Sequence, residues 1–444
     1  MTRTSIRLFA GGALLAVAVA ACGGSSSGGS PSSGSSPSSG GANTASAPGI
    51  TATTVTIGSH QPLTGVAAPG YDEIAPASNA YFQWVNAHGG INGRKIVYKY
   101  LDDAYNPAQT VTVVHKLVLQ DKVFAIFNGL GTPTHQQVVA YLNSQKIPDL
   151  FVASGCLCWN MPSTQPETFG WQPDYTIEGK ILGQYITQKF KGQKVAVFAQ
   201  GDDFGHNGVK GLQDEVPSSQ IATIQYYDPT NTNVAPQVQK LAQSGAKIVV
   251  SFTVPAFTAL LQLTALQLKY QPQLVVSNVG SDPKTLAGLL TSFSKGKAPG
   301  SKLIQGIITD GYLSSPADTS NSWIQLFQQV HQQYIPKLPF DGNVEYGMAA
   351  AYTFVQALKA AGQNPTRASI VSAIQSSHFT GPGLVPFGFS SSSHAGYTGV
   401  QIGVIKGSAI HLLGQPMTTD DGSGAITPFT TQQPAAPANG IPSN

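Results

Sequence analysis

Charge is scarce in this sequence. Lysine, arginine, aspartate and glutamate make up 10% of its 444 residues, and the formal net charge is +3. The basic residues are scattered, apart from short groups such as Lys189-Phe190-Lys191 and Lys295-Gly296-Lys297. A nucleic-acid binder would show a dense basic stripe, so that class is excluded. Catalytic spacing is missing too. There is no His-Glu-x-x-His zinc site, no complete phosphate loop and no Gly-x-Ser-x-Gly elbow, which argues against an enzyme. Gly129-Leu130-Gly131 lacks the third glycine of a dinucleotide fingerprint, and no acidic residue closes the unit. The nine histidines are dispersed and read as ordinary surface or core residues. Asp102-Asp103 and Asp202-Asp203 sit at strand ends, where neighbouring side chains point to opposite faces. They read as loop or turn residues. No cofactor and no metal is expected.

The apolar run 8–21 falls short of the roughly 20 residues a membrane span needs. Preceded by Arg3 and Arg7, it reads as a secretory signal over residues 1–21. Its end, Val19-Ala20-Ala21-Cys22, looks like a bacterial lipobox, with Cys22 as the lipidated residue. Residues 23–41 contain only glycine, serine and proline. Such a stretch has nothing to bury and no core to build, so residues 22–50 are expected to be a disordered tether. About 25 flexible residues reach roughly 25–30 Å, enough to hold a folded body clear of a membrane. The expected location is outside the cytoplasm, at the cell surface or in the periplasm.

Beyond residue 50 the chain is hydrophobic and regular, with 41% hydrophobic residues overall. Strand-like runs at 55–59, 96–100, 123–127 and 149–152 alternate with helical periodicity. A second set lies at 194–199, 221–226, 247–251, 274–277 and 303–308. Helices are expected at 78–87, 107–121, 133–144, 178–189, 234–244, 255–268, 321–334, 345–361 and 367–376. Repeated strand–helix alternation implies an α/β fold of doubly wound, Rossmann-like layers, and this many elements suit two lobes. The stretches 385–389 and 400–413 read as strands. Residues 428–444, rich in proline, glutamine, alanine and asparagine, read as a disordered tail.

Three stretches carry a family resemblance: Ile57-Gly58-Ser59 with Pro62-Leu63-Thr64-Gly65 and Asn86-Ala87-His88-Gly89-Gly90-Ile91-Asn92-Gly93; then Asp102-Asp103-Ala104-Tyr105-Asn106-Pro107; then Asp203-Phe204-Gly205-His206-Asn207-Gly208. In this order they resemble the leucine/isoleucine/valine-binding proteins of the type I periplasmic-binding fold. The likeness runs from about Thr54 to Leu413. It implies two lobes with three hinge crossings, near residues 173–175, 309–311 and 390–396. The first lobe would comprise 51–174 plus 310–392, and the second 175–309 plus 393–427. The implied function is capture of a small polar solute between the lobes and its delivery to an ABC importer permease. The implied body is a monomer attached to the membrane only through its lipid. The alternative is an extracellular ligand sensor of the same fold.

The resemblance also implies where ligand sits. Its carboxylate-holding hydroxyl falls on Thr132, and the next pair of positions on Ala153 and Gly155, with Ser154 between. Thr132 precedes Pro133 and reads as a helix N-cap, where free amides suit an anion. Tyr71, Tyr105, Tyr175, Phe204, Thr253 and Asn278 are further cleft candidates. The family's second-lobe glutamate, which holds a ligand ammonium, falls on Asn278 or Val279. A buried ammonium without an acid is costly, so a carboxylate, amide or aromatic solute is expected rather than an aliphatic amino acid. Asp174, beside Tyr175, is the acid that could restore the amino-acid reading. Cys156 and Cys158 are expected to form a local disulfide in the exported compartment. Free thiols and a soft-metal site are the alternatives.

Overall fold

The computed structural model describes residues 42–443. The expected signal segment, Cys22 and the tether as far as Gly41 lie outside the described residues.

Fifteen strands are described, and most belong to two sheets. The first sheet has the order β2-β1-β3-β4. It contains β1 (Thr54–Gln61), β2 (Lys95–Asp102), β3 (Ile126–Phe127) and β4 (Asp149–Leu150), all parallel. The second sheet is built on β5 (Val195–Gln200), β6 (Ile221–Tyr227), β7 (Ile248–Phe252), β8 (Gln273–Val276) and β9 (Ile308–Gly311). These five are parallel in the order β6-β5-β7-β8-β9. A small hairpin, β10 (Phe387–Ser390) with β11 (Ser393–Tyr397), stands apart. Then β12 (Gly399–Lys406) returns to pair antiparallel with β9. β13 (Ala409–Leu412), β14 (Met417–Thr418) and β15 (Thr427–Pro428) complete that edge.

Residue type explains the layering. Every residue of β5 and β7 is buried, as expected of parallel strands covered by helices on both faces. VAVFAQ is a continuous apolar run before its final glutamine, and IVVSF is apolar apart from Ser251. The helix Tyr175–Lys189 packs on Asp203–Glu215 through glycines. A Cβ on Gly179 would lie 2.3 Å from the Gly208 carbonyl, and one on Gly211 would lie 2.1 Å from that of Thr176. The helix Gly342–Ala360 lies against Ile74–Ala87, with a Cβ on Gly347 falling 2.4 Å from Ile74 O. Lys180 Nζ donates to Thr419 Oγ1 and to the carbonyls of Asp420, Gly422 and Gly424, tying that helix to the loop between β14 and β15.

Several elements differ from the sequence expectation. The strand expected at 123–127 pairs only at Ile126–Phe127. Where 303–308 reads as a strand, a helical turn Gly300–Leu303 precedes β9. The helix expected at 133–144 is two short pieces, Thr132–His135 and Val139–Ser144. The end of the expected tether is packed: Ile50 is buried, Thr44 N–H donates to Asn364 Oδ1, and Ser46 Oγ donates to Pro365 O. The expected disordered tail also has partners. Trp323 Nε1 donates to Pro434 O at 2.6 Å, Tyr81 Oη to Gly440 O at 2.7 Å and Lys359 Nζ to Pro442 O at 2.6 Å. Composition misleads there because the tail contributes carbonyls and a few apolar side chains rather than a core of its own.

Candidate functional site

In a parallel α/β sheet the carboxyl ends of the strands are where ligands bind. The carboxyl ends of the two sheets face one cavity of about 170 Å³. Hydrogen bonds bridge it. Tyr71 Oη donates to Val279 O at 2.7 Å, and Gln136 Nε2 to Asp203 Oδ2 at 2.6 Å. Gln200 Nε2 donates to Tyr105 Oη at 3.2 Å, and Asn343 Nδ2 to Thr285 Oγ1 at 3.2 Å.

Seven expected ligand residues line this cavity: Tyr71, Tyr105, Thr132, Ala153, Tyr175, Phe204 and Asn278. Three do not. Ser154 and Gly155 line a neighbouring cavity with Asp174, Trp159 and Asp420. Thr253 is fully buried and bonded to Thr258 Oγ1 at 2.7 Å, while the next residue, Val254, reaches the cleft. Strand alternation is the reason.

The anion cradle is built differently from the expectation. Thr132 is not the N-cap of its helical turn. Gly131 is, at φ +105°, a conformation that glycine alone adopts without strain. The Thr132 hydroxyl pairs with Ser154 Oγ at 2.7 Å. The amide of Gly131 donates to Ala153 O at 3.1 Å, and that of Ala153 to Gly129 O at 3.0 Å. Two of the amides nearest Thr132 are thus spent within the protein. Tyr175 closes this end, with its ring 4.4 Å from that of Phe204 and its phenol beside Ser154 and Thr132.

Acid groups line the opposite part. Asn278 N–H donates to Glu178 Oε1 at 2.9 Å and Asp310 Oδ1 at 3.1 Å. Its side-chain amide donates to Glu178 Oε1 at 2.8 Å and Asp310 Oδ2 at 3.0 Å. Burial pushes both carboxyls up, and Glu178 raises Asp310 further, because two carboxylates this close do not both ionise. Glu345, from the helix Gly342–Ala360, also lines the cavity. It is 1% exposed, its Oε1 has no hydrogen-bond partner, and burial followed by Asp341 holds its carboxyl well above the usual range. The expectation of a cleft without an acid for an ammonium is therefore corrected. The second-lobe position is Asn278 or Val279, but Asp310 and Glu345 supply acids from elsewhere. Asp174, the other candidate, faces the neighbouring cavity as the N-cap of Tyr175–Lys189, and burial pushes its carboxyl up to about 7.

Sequence reading also missed a buried relay beneath the cleft. His60 Nδ1 lies 2.8 Å from Asp103 Oδ2, His60 Nε2 lies 2.9 Å from His135 Nδ1, and His135 Nε2 lies 2.8 Å from Asp149 Oδ2. Thr110 and Thr168 hydroxyls donate to the two carboxylates. The relay joins the ends of β1 and β2, the turn at Thr132 and the start of β4. Asp102 is a loop acceptor for Leu63, Thr64 and Ala104 amides. Cys156 and Cys158 are joined by a disulfide. Asp203 lies close to both sulfurs, but bonded sulfurs offer no thiolate to a metal.

The periplasmic binding protein profile matches residues 54–409. An amino acid binding protein of Pseudomonas aeruginosa is 28% identical over 207 residues, covering 44% of this chain and 52% of its own length. A Leu/Ile/Val-binding protein homolog 2 of Brucella abortus is 28% identical over 212 residues, covering 44% and 53%. The chain thus spans about half the length of these curated relatives. Among solved structures, a branched chain amino acid ABC transporter protein from Thermus thermophilus with bound valine superimposes with a TM-score of 0.72 at 21% identity, covering 83% of this chain and 97% of that one. A fatty acid ABC transporter substrate-binding protein from Thermomonospora curvata gives 0.71 at 21% identity, covering 84% and 95%. At such identity these two report the fold alone. The matched profile, spanning most of the folded chain, and the two facing sheets make this a member of the periplasmic binding protein family, with the type I fold of leucine/isoleucine/valine-binding proteins.

Proposed function

We propose that this protein captures a small, largely apolar solute between its two lobes and delivers it to the permease of an ABC importer. It is a binding protein rather than an enzyme, as its family is. The supporting observation is the bridged cavity, lined by Tyr71, Tyr105 and Leu130 from one side and by Tyr175, Phe204 and Val254 from the other. Ligand that touches both halves lowers the free energy of the closed form, and a permease can read closure. The sequence Val19-Ala20-Ala21-Cys22 and the Gly/Ser/Pro stretch after it support export and attachment through lipid on Cys22. Among the described residues no helix is long and apolar enough to cross a membrane.

The test is mass spectrometry of small molecules that copurify with the body beginning at residue 42. Capture predicts one bound species, lost when Ala153→Trp fills the cavity. A species retained by that variant would place binding elsewhere. Lipidation is tested by the mass of the N-terminal peptide from a bacterial host, with Cys22→Ser as the unacylated control.

A further inference from the structure

We propose that Cys156, Cys158 and Asp203 form a site for one thiophilic divalent cation of the zinc class. The site opens when the disulfide is reduced, and the ion then ties the two halves of the molecule together. The inference goes beyond solute capture and holds whatever the solute is.

Among the described residues this is the only group of three cysteine, histidine or acidic side chains whose donor atoms all lie within 4.8 Å of one another. The two sulfurs follow β4 of the first sheet, and Asp203 opens the helix Asp203–Glu215 after β5 of the second. The disulfide loop and that helix already touch, since Leu157 N–H donates to Asn207 Oδ1 at 3.1 Å. Gln136 Nε2 donates to Asp203 Oδ2 at 2.6 Å and to Cys158 Sγ at 3.8 Å. A donor that bridges a carboxylate and a sulfur stands where a cation would. Tetrahedral zinc lies about 2.3 Å from sulfur and about 2.0–2.2 Å from a carboxylate oxygen, so its ligands stand roughly 3.3–3.8 Å apart. A small side-chain shift brings the three donors to that spacing once the sulfurs have parted, and water takes the fourth place. Thiolates select such an ion over calcium or magnesium. The positive end of the helix that Asp203 opens favours the thiolate form.

The reductant is an external dithiol. Cys158 is half-buried while Cys156 is buried, so Cys158 Sγ is the sulfur attacked. The S–S bond breaks, and Cys156 leaves as a thiolate. The second thiol of the reductant then displaces Cys158 and closes a disulfide of its own. Two electrons pass to the protein, and protons still held by the cysteines leave to solvent when the ion binds.

The test uses the full chain carrying Cys22→Ser, whose remaining cysteines are this pair. It is reduced with dithiothreitol, freed of it under nitrogen and titrated with cadmium alone, followed by the ultraviolet absorption of the thiolate–metal bond. The expected result is one ion per reduced chain, bound at least a hundredfold more tightly than by the oxidised chain. Asp203→Asn should weaken the ion at least tenfold, Asp203→Glu should recover part of that loss, and Cys158→Ser should remove tight binding. A pair that stays closed in dithiothreitol, no thiolate–metal absorption in the reduced chain, or equal binding by the oxidised chain would each overturn the inference. Binding indifferent to Asp203→Asn would overturn the tie between the halves, because the ion would then rest on the disulfide loop alone. Circular dichroism of each variant shows whether a loss reflects unfolding, and recovery by Asp203→Glu separates loss of the carboxylate from loss of the fold.

Discussion

His60 and His135 stand 75 residues apart in sequence, yet their rings stack with centroids 5.2 Å apart, between two buried carboxylates. Removing His135 leaves His60 Nε2 buried without its partner and takes one of the hydrogen bonds from Asp149 Oδ2. His135→Ala is expected to cost roughly 3 kcal/mol of folding free energy, measured as a lower urea midpoint. An unchanged midpoint would show that the relay contributes no net stability. Gly131 is the second residue to test. A Cβ there would meet Thr134 Oγ1 and the Tyr105 ring, both at 2.5 Å, and its φ is +105°. Gly131→Ala should destabilise by about 1–3 kcal/mol and weaken solute binding, because it displaces both the Thr132 turn and Tyr105. The family resemblance gave access to Thr132, Tyr71 and Phe204 as cleft residues, and all three line the cavity. It gave none to Glu345 or Asp310. Their acids come from the helix Gly342–Ala360 and from β9, beside β8 in its sheet, and no local pattern marks which carboxyl meets the cavity.

At the scale of elements, two helix starts crowd acids at the rim. Glu73 precedes Ile74–Ala87 and Asp341 caps Gly342–Ala360. Burial, then Asp341, pushes Glu73 up to about 9, while burial and then Asp282 push Asp341 up to about 7. Both values exceed those of the unfolded chain, so the folded state binds more protons. The stability they contribute is fully present below about pH 4 and is lost as pH rises through about 7 and then about 9. Urea midpoints between pH 5 and 9 should therefore fall with pH from this source, and Glu73→Gln should flatten the fall. A slope unaltered by Glu73→Gln would remove this pair as its cause. The final segment is a second element to test. Truncation after Pro428 strips acceptors from Trp323, Tyr81 and Lys359. It should cost about 1–3 kcal/mol for the polar groups left unpaired, seen as a lowered Tm. No change would mean that water replaces those carbonyls.

For the whole molecule, the bonds across the cleft decide how firmly the two halves stay together. Tyr71 Oη to Val279 O joins them directly. Tyr71→Phe keeps the ring and removes that bond, so solute affinity should fall about fivefold, equivalent to roughly 1 kcal/mol. Scattering should report a larger radius of gyration without solute. An affinity equal to wild type would place the latch elsewhere. The order of residue types was enough to specify the α/β layering, because largely apolar runs such as VAVFAQ and IVVSF suit a strand buried on both faces, while the site positions came from the family resemblance. The chemistry of the cleft was settled only by folding. Whether an amide stays free for a ligand or is spent on Gly129 O, and whether a carboxyl sits beside Asn278 or alone in the cavity, depends on groups brought together from positions as far apart as 178 and 310. Periodicity records only which face of its own segment a residue occupies. Hydrogen-bond partnership and desolvation arise only when distant segments meet.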